Sequence, residues 1–516
     1  MDPFVVLAAV FDPMNLMAIF VGVVAGLCIG GLPGLTANLG VALLLPVTFT
    51  LDVTAALLML MSLYTAAIYG GSFAAILLRA PGTSASAATA IDGYELTRQG
   101  RFDEAIRVAT FSSVIGGMVS GVALLLLAPP LSLISLRFGP AEYFMLAVFG
   151  LTIIGTLASG NMIKGLIAGA VGLWLSTIGL DLDSGFPRFT LGIRALSSGI
   201  EFVPVVIGLF SVSQALLMCE DVHSSIQKAG PTNTRKWRYL PKRSELRETR
   251  GTLVRSSIIG VFVGILPGAG GDIGAWVSYN EARRFAKDKS QFGKGSIVGI
   301  AASESANNAV TGSSLVPLLT LGIPGSATAA ILLGALIVHG LVPGRTLFTV
   351  HANITYTVIF GFILANLLMG IVGMMIAKRM ALVATVPQTI LVPIILVLSI
   401  VGSYSLGNNI FDVYTMLVFG LIGYFMRKGG YSPAPLILGL ILGPIAETGF
   451  RQSLVLAPGH VIFYILNSTI ALVLVVLTVM SLVGALRMEW TRVRFDRANR
   501  KDKAETSPNE QSRGEN

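Results

Sequence analysis

Long stretches of this 516-residue chain contain no charged side chain. Residues 14–51, 53–78, 108–136, 143–163, 202–219, 305–344, 346–377, 380–411 and 452–486 hold no Asp, Glu, Lys or Arg. About 20 mostly apolar residues in a helix cross a hydrocarbon core of about 30 Å. Each stretch is long enough for a membrane helix, and the longest, 305–344 and 14–51, hold more than one segment. Shorter apolar runs at 165–180, 256–271 and 429–446 can also insert. The pattern predicts an all-α polytopic membrane protein of about 10–12 membrane segments.

Composition agrees. Charged residues make up 12% of the chain and hydrophobic residues 53%, with a mean hydropathy of +0.77. Average soluble domains carry about 25% charged residues. The start, MDPFVVLAAVFDPMNLM, has neither a positive n-region nor a small-residue cleavage site, so no cleavable signal peptide is expected. Cys28 and Cys219 lie in separate apolar stretches and make no disulfide framework.

The net charge of +9 is concentrated in a few loops, as the positive-inside rule requires of a membrane protein, and does not call for nucleic acid. Nine Lys/Arg fall within 220–255, five within 283–294 and eight within 487–516. These regions are assigned to the cytoplasm, including the C-terminus. Loops 50–54 and 402–412, without Lys or Arg, and 129–140, with Arg137 alone, are assigned outside. Two basic, cytoplasmic loops then flank 256–282, which has room for two half-spans. A re-entrant hairpin follows, with its tip at Leu266-Pro267-Gly268-Ala269-Gly270-Gly271. Irregular backbone at membrane depth is tolerated only where protein buries it or a wet cavity solvates it.

Three motifs occur twice in the same order. Gly31-Leu32-Pro33-Gly34 returns as Ile265-Leu266-Pro267-Gly268. Pro81-Gly82-Thr83 returns as Pro324-Gly325-Ser326. LTIIGTLASGN at 151–161 returns as LSIVGSYSLGN at 398–408. The offsets are 234, 243 and 247 residues. Corresponding loops carry opposed charge: 283–294 is basic where 50–54 is not. The expected architecture is therefore two inverted membrane repeats, 14–219 and 256–486, with Pro-Gly hairpins or broken helices. A basic cytoplasmic linker (220–255) joins them and a basic tail (487–516) follows. Paired Gly/Pro interruptions in two repeats mark the midplane site of many secondary transporters. Isolated glycines such as Gly116-Gly117 and Gly370 read instead as helix packing.

The motifs GGLPGLTANLGVALLLPVTF (30–49), YGGSFAAILLRAPGTSASAATAIDGYEL (69–96) and ILPGAGGDIGAWVSYNEARRF (265–285), together with the run FGKGSIVGIAASESANNAVTGSSLVPLLTLGIPGSATAAILLGALIVHGLVPG (292–344), closely resemble the large membrane subunit of tripartite tricarboxylate transporters, the TctA family. The resemblance covers about residues 15 to 485. It implies a bacterial inner-membrane system in which a periplasmic solute-binding protein and a small membrane subunit accompany the large subunit. The large subunit of that family is an ion-coupled carrier of citrate-like tricarboxylates and other carboxylates. Dicarboxylates and aromatic acids remain alternatives, as does a channel or scaffold role. The chain has no G-x-x-x-x-G-K-[ST] phosphate loop and no base beside its hydroxyls to make a nucleophile, so no enzyme is expected. The histidines show no ligand spacing. No metal or cofactor is expected beyond Na⁺ or H⁺ as coupling ion.

An anionic solute in a dry site needs hydroxyls, amides and helix N-termini as donors. The candidates for substrate binding are Pro33, Gly34, Thr36 and Asn38 at the first break and Pro81, Gly82, Thr83, Ser84 and Ser86 at the second. In the later copy they are Pro267, Gly268, Pro324, Gly325 and Ser326, with Asn307 and Asn308 from the polar run that precedes the last break. Arg79 either pairs with a substrate carboxylate or snorkels to the interface. Intramembrane acids are usually functional, so Asp272 and Glu304, with Thr311, are candidates for ion coupling; each acid alternatively caps a helix. Asp92 and Glu95 are assigned to a cytoplasmic loop with Arg98 and Arg101.

Overall fold

The computed structural model describes residues 3–134, 137–157, 162–181, 184–220, 238–266, 270–383 and 386–483. Pro267 and Gly268, residues 221–237 of the basic linker, 158–161 of the third motif and the tail 487–516 lie outside the described residues. The chain runs first through α1 (Pro3–Val10), α2 (Pro13–Gly31), α3 (Ala37–Leu44), α4 (Val53–Leu78), α5 (Ala87–Arg98), α6 (Phe102–Ile134), α7 (Pro140–Leu157), α8 (Met162–Ser176), α9 (Phe202–Val206) and α10 (Ser213–Glu220). It continues through α11 (Arg243–Ile265), α12 (Gly270–Phe285), α13 (Ile297–Ser313), α14 (Leu315–Leu321), α15 (Ala327–Val338), α16 (Arg345–Thr349), α17 (Ala352–Val383), α18 (Gln388–Gly407), α19 (Ile410–Lys428), α20 (Pro433–Leu456) and α21 (Val461–Asn467). Among the described residues the strands are two short ones, β1 (Gly179–Leu180) and β2 (Pro187–Arg188), paired antiparallel. The fold is all-α, as the apolar pattern requires.

Eight helical stretches are long and apolar enough to cross a membrane, and a ninth counts if Val461–Asn467 and Thr469–Val483, bent by 96° at their junction, form one span. The other expected segments are shorter or too charged to qualify. α8, α15 and the stretch Ala37–Thr50 are apolar but short, and α11 carries Arg243, Arg247, Arg250 and Arg255. The succession helix, break, short helix, long helix, break, short helix, long helix occurs as α2 to α6 and again as α11 to α17, with α13 and α14 together answering to α4.

Local sequence sets the helix starts. Asp12 caps α2, its carboxylate accepting from the Met14 and Asn15 amides, and Pro13 occupies the first helical position, where its missing N–H costs nothing. Asp52, Thr36, Ser296 and Ser326 cap α4, α3, α13 and α15 in the same way.

The chain divides into two compact units. The first holds Met1–Arg137 and Ile178–Gly429, the second Phe138–Thr177 and Gly430 onward. In the second, α7 and α8 pack against α20. Gly172 and Gly439 let the α8 and α20 backbones touch, and the Ser468 hydroxyl donates to Glu142. In the first, α2 lies along α4 through a glycine stripe. A methyl group on Gly22, Gly26 or Gly30 would overlap the carbonyl oxygen of Met59, Leu63 or Ala67. Gly260 and Gly264 bring α11 onto α13 in the same way. Helix packing between apolar surfaces in lipid draws on such close approach, because burial from water supplies no drive there. The long helices that follow are exchanged: α6 packs on α13, and α17 packs on both α4 and α6.

One buried ion pair ties α6 to α11. Arg107 is 1% exposed and grips Glu245 with Nη2 to Oε1 at 2.7 Å and Nε to Oε2 at 3.1 Å, while Nη1 donates to Asp103 at 3.1 Å. Removing one partner of a buried pair strands the other charge. Arg107→Met is expected to cost about 3–5 kcal/mol, and the double substitution with Glu245→Leu to recover most of it. Thermal unfolding of the detergent-solubilised protein measures both.

Candidate functional site

The site begins with interruptions that the sequence forces on its helices. α2 ends at Leu32-Pro33-Gly34, with Gly34 at φ 86, and α3 restarts on Thr36, whose hydroxyl accepts from the Leu39 amide at 3.4 Å. α4 ends on Arg79 in the left-handed region at φ 58. After Pro81-Gly82 the chain restarts on Thr83, whose carbonyl takes the Ser86 hydroxyl at 2.8 Å. α14 ends on Gly322, and after Pro324-Gly325 the Ser326 hydroxyl accepts from the Ala329 amide at 3.1 Å. Each break leaves orphan carbonyls on one side and orphan amides on the other.

The breaks are stacked by contacts that recur. A methyl group on Gly82 would overlap the Gly30 carbonyl and press on Gly71; on Gly325 it would overlap the Gly264 carbonyl and press on Ser314. Gly82 and Gly325 are 243 residues apart, as are Gly71 and Ser314, and Gly30 and Gly264 are 234 apart. Equivalent positions therefore make equivalent contacts. The offset of 234 also pairs Asn38 with Asp272, and the offset of 243 pairs Tyr64-Thr65 with Asn307-Asn308.

Two polar clusters result. In one, α3 meets the break before α15. The Thr328 hydroxyl donates to Asn38 Oδ1 at 2.5 Å, and the Tyr64 hydroxyl lies 3.1 Å from Ser326 Oγ and 3.5 Å from Ser314 Oγ. This cluster is filled and paired. In the other, α12 meets the break before α5. Ser84 and Asp272, in the first turn of α12, are exposed, and the Ser84 hydroxyl bonds to the Asp272 carboxylate. Asn307 is fully buried and aimed at Gly271: a methyl group there would sit 2.5 Å from Asn307 Oδ1. Among the described residues, Asn307 Oδ1 and Nδ2 have no hydrogen-bond partner, and neither has Asn308 Nδ2. An unpaired buried polar group costs about 1–3 kcal/mol, so three such atoms on adjacent residues single out this pair.

Between the clusters, at the crossing of α4, α13 and α17, the Thr65 hydroxyl donates to Asn366 Oδ1 at 2.8 Å and lies 3.4 Å from Asn308 Oδ1. Thr311 donates to the Asn308 carbonyl at 2.7 Å. One helical turn from Asn308, Glu304 is fully buried and accepts three hydroxyls: Ser72 at 2.6 Å and Thr89 at 2.5 Å on Oε1, Ser113 at 2.8 Å on Oε2. It caps no helix N-terminus, since it sits in the middle of α13.

The structure therefore brings together Thr83, Ser84, Ser86, Asp272 and Asn307, and separately Asn38, Ser326 and the residues around Pro324-Gly325. Asn308 and Thr311 lie along α13 between them, and Glu304 lies on the same helix one turn before Asn308. Arg79 is exposed, with its guanidinium 5.9 Å over the Tyr94 ring, and points at neither cluster. Asp92 departs from expectation: it is not a solvated loop residue but a fully buried one on α5. It accepts the amides of Gly293, Gly295 and Ser296 at 2.8, 3.0 and 2.9 Å and the Tyr279 hydroxyl at 2.8 Å. Tyr64, Thr65, Ser72, Ser113 and Asn366 are additions to the site. The offset of 243 reaches Tyr64 and Thr65 once Asn307 and Asn308 are chosen; Ser72, Ser113 and Asn366 carry no comparable signal. Among the described residues no three His, Cys, Asp or Glu side chains converge as metal ligands.

Residues 16–438 match the model of the tripartite tricarboxylate transporter TctA family. The chain belongs to the TctA family. Two relatives come from Agrobacterium vitis, both uncharacterized proteins. One, of 52.8 kDa, is described from the TAR-I ttuC' 3' region and is 37% identical over 484 residues, 93% of this chain and 96% of its own length. The other, from the TAR-II ttuC' 3' region, is 34% identical over 237 residues, 45% of this chain and 98% of its own. As a TctA-family member the chain is a multi-pass membrane protein of a transporter family, not an enzyme family.

In this TctA-family fold the unpaired and paired amides predict different stability effects. Asn307→Ala removes an uncompensated polar group and is expected to leave the melting temperature unchanged or raise it. Asn366→Ala breaks bonds to Thr65 and to the Phe362 carbonyl and is expected to cost about 1–3 kcal/mol. Thermal unfolding of both variants side by side tests this.

Proposed function

We propose that this chain is the translocating subunit of a binding-protein-dependent secondary transporter importing tricarboxylates or related small carboxylates across the bacterial inner membrane, driven by a Na⁺ or H⁺ gradient. A small membrane subunit and a periplasmic solute-binding protein complete the system. The C-terminus is cytoplasmic by the distribution of Lys and Arg, and the inverted-repeat reading is supported by the equivalent contacts of Gly30–Gly82 and Gly264–Gly325.

The observation that carries the reading is the pair Asn307-Asn308, buried with amide groups unpaired beside the start of α12 and the break before α5. A carboxylate there accepts from both Nδ2 groups. No cation need be buried with it, so the site can release its solute. Asp272, at its exposed edge, and Glu304 and Thr311 on α13 are the candidates for ion coupling. The charged group of the solute supplies what the empty site lacks, whereas a neutral analogue leaves the donors half satisfied. The binding protein encoded with the chain sets which acid arrives.

Transport by the intact tripartite system in proteoliposomes tests the reading. Saturable, gradient-dependent uptake is expected, and passive flux without saturation would make the chain a channel. A hydrogen bond to a charged group contributes about 1.5–3 kcal/mol, so Asn307→Ala and Asn308→Ala are each expected to lower kcat/KM about tenfold or more. Arg79→Ala, lying over Tyr94, is expected to change it less than about threefold. Uptake unaffected by Asn307→Ala, Asn308→Ala and Thr36→Ala together would sink the proposed site.

A further inference from the structure

Glu304 is a carboxyl group built into the protein with no cation beside it. It is fully buried at mid-helix, and among the described residues no Lys, Arg or His pairs with it. The titratable and charged groups on the elements around it are engaged elsewhere. Tyr69 of α4 bonds Thr110. Asp92 of α5 holds the loop before α13, with Tyr279 of α12. Arg107 of α6 is taken by Glu245 of α11 and by Asp103. Asp272 of α12 bonds Ser84. Only hydroxyls reach Glu304, one each from α4, α5 and α6.

We propose that Glu304 is the proton-carrying group of the transport cycle, alternating between carboxylate and carboxylic acid within this hydroxyl cage; this rests on the carrier reading above. The cage accommodates both forms. In the ionised form Ser72, Thr89 and Ser113 all donate to it. In the protonated form the new O–H needs an acceptor, and Thr89 supplies one by turning its own proton to Ser303 Oγ, 2.9 Å away. Ser303 is free to accept because its proton already lies on the Gly299 carbonyl at 3.0 Å. One proton is added, one hydroxyl rotates, and no donor is stranded.

The spacing fits a proton and not a metal cation. Three hydroxyl oxygens sit 2.5–2.8 Å from the carboxylate oxygens, the length of charge-assisted O–H···O bonds. A cation would have to displace hydroxyls that already touch both carboxylate oxygens. The position is also asymmetric: the offset of 243 that relates the breaks places Met61 opposite Glu304. The two related segments thus hold one such acid between them.

Two measurements test the proposal, one independent of the solute. Infrared difference spectroscopy of the purified chain across a pH titration is expected to show a protonated-carboxyl C=O band that Glu304→Gln removes. Thr89→Val, which keeps the acid and breaks the relay, is expected to move the midpoint of that band by about one pH unit, the equivalent of one buried hydrogen bond. In proteoliposomes of the complete system, with radiolabelled citrate as probe, Glu304→Gln is expected to retain citrate exchange at equal internal and external concentration while losing accumulation driven by a pH gradient. A Glu304→Gln protein that accumulates citrate with the pH dependence of the unmodified protein overturns the proposal. So does a wild-type spectrum in which no band assignable to Glu304 titrates. Absence of citrate transport by the unmodified system would instead refute the tricarboxylate reading and leave the infrared result to decide this one.

Discussion

A chain that breaks its helices must hold the loose ends in place, and in this protein the close approach of glycines does that work. The Gly30 carbonyl faces Gly82, and the Gly264 carbonyl faces Gly325, at distances that leave no room for a side chain. Each contact stacks the residue just before a hairpin tip on the residue just after a helix break. The hairpin α2–α3 and the break before α5, like α11–α12 and the break before α15, are therefore held as units. The glycine stripes on α2 and α11 continue the same contact along α4 and α13. Everything polar in the site hangs from elements positioned this way, because the caps Thr36, Thr83 and Ser326 all sit at the edges of these contacts.

Much of this was legible in the sequence because polar residues and Pro-Gly pairs stand out against an apolar background. The four breaks, the hydroxyls that follow them, the Asn pair and Glu304 all announce themselves in that way, and three of the breaks are where the sequence puts them among the described residues. Partnership was not legible. Ser72, Ser113 and Asn366 are ordinary residues for membrane helices, and they become site residues only because α4 and α6 close on α13 and α17 closes on α4, across separations of 191 to 301 residues. Asp92 shows the opposite failure. Flanked by Glu95, Arg98 and Arg101, it reads as one of a solvated group. Three amides from a loop some 200 residues away convert it into a buried structural brace. Charge pattern reports how many charges lie nearby in sequence and is silent on which one folding buries.

The two polar clusters share a plan and differ in completion. Where α3 meets the break before α15, Asn38 is bonded to Thr328, and the Tyr64 ring carries its hydroxyl to Ser326 and Ser314. The cluster is neutral and closed. Where α12 meets the break before α5, the position of Asn38 is taken by Asp272 and that of Tyr64 by Asn307. The shorter side chain reaches no hydroxyl, and its amide is unpaired among the described residues. Asp272 in the place of Asn38 adds a charge at the rim, and Asn307 in the place of Tyr64 adds unpaired amide atoms in the interior. One half of the related pair is thereby closed, and the other is the candidate receptor.

That division has a mechanical consequence. Glu304 lies on α13, one turn from Asn308, and its cage draws on α4, α5 and α6. α5 is also the helix that follows the break lining the receptor cluster, through Thr83 and Ser86. A change at Glu304 that rotates Thr89 acts on the first turn of α5, which directly follows the Ser84–Ser86 turn beside Gly271 and Asp272. The distance between the proposed proton group and the proposed solute site is thus bridged by the start of one short helix and one buried turn of α13. Close-packed elements shift as bodies and do not deform gradually. Coupling between the proton and the solute then requires no long pathway: it needs α5 and α13 to move together or not at all, and the hydroxyls of Thr89 and Ser303 are the contact through which each reports the state of the other.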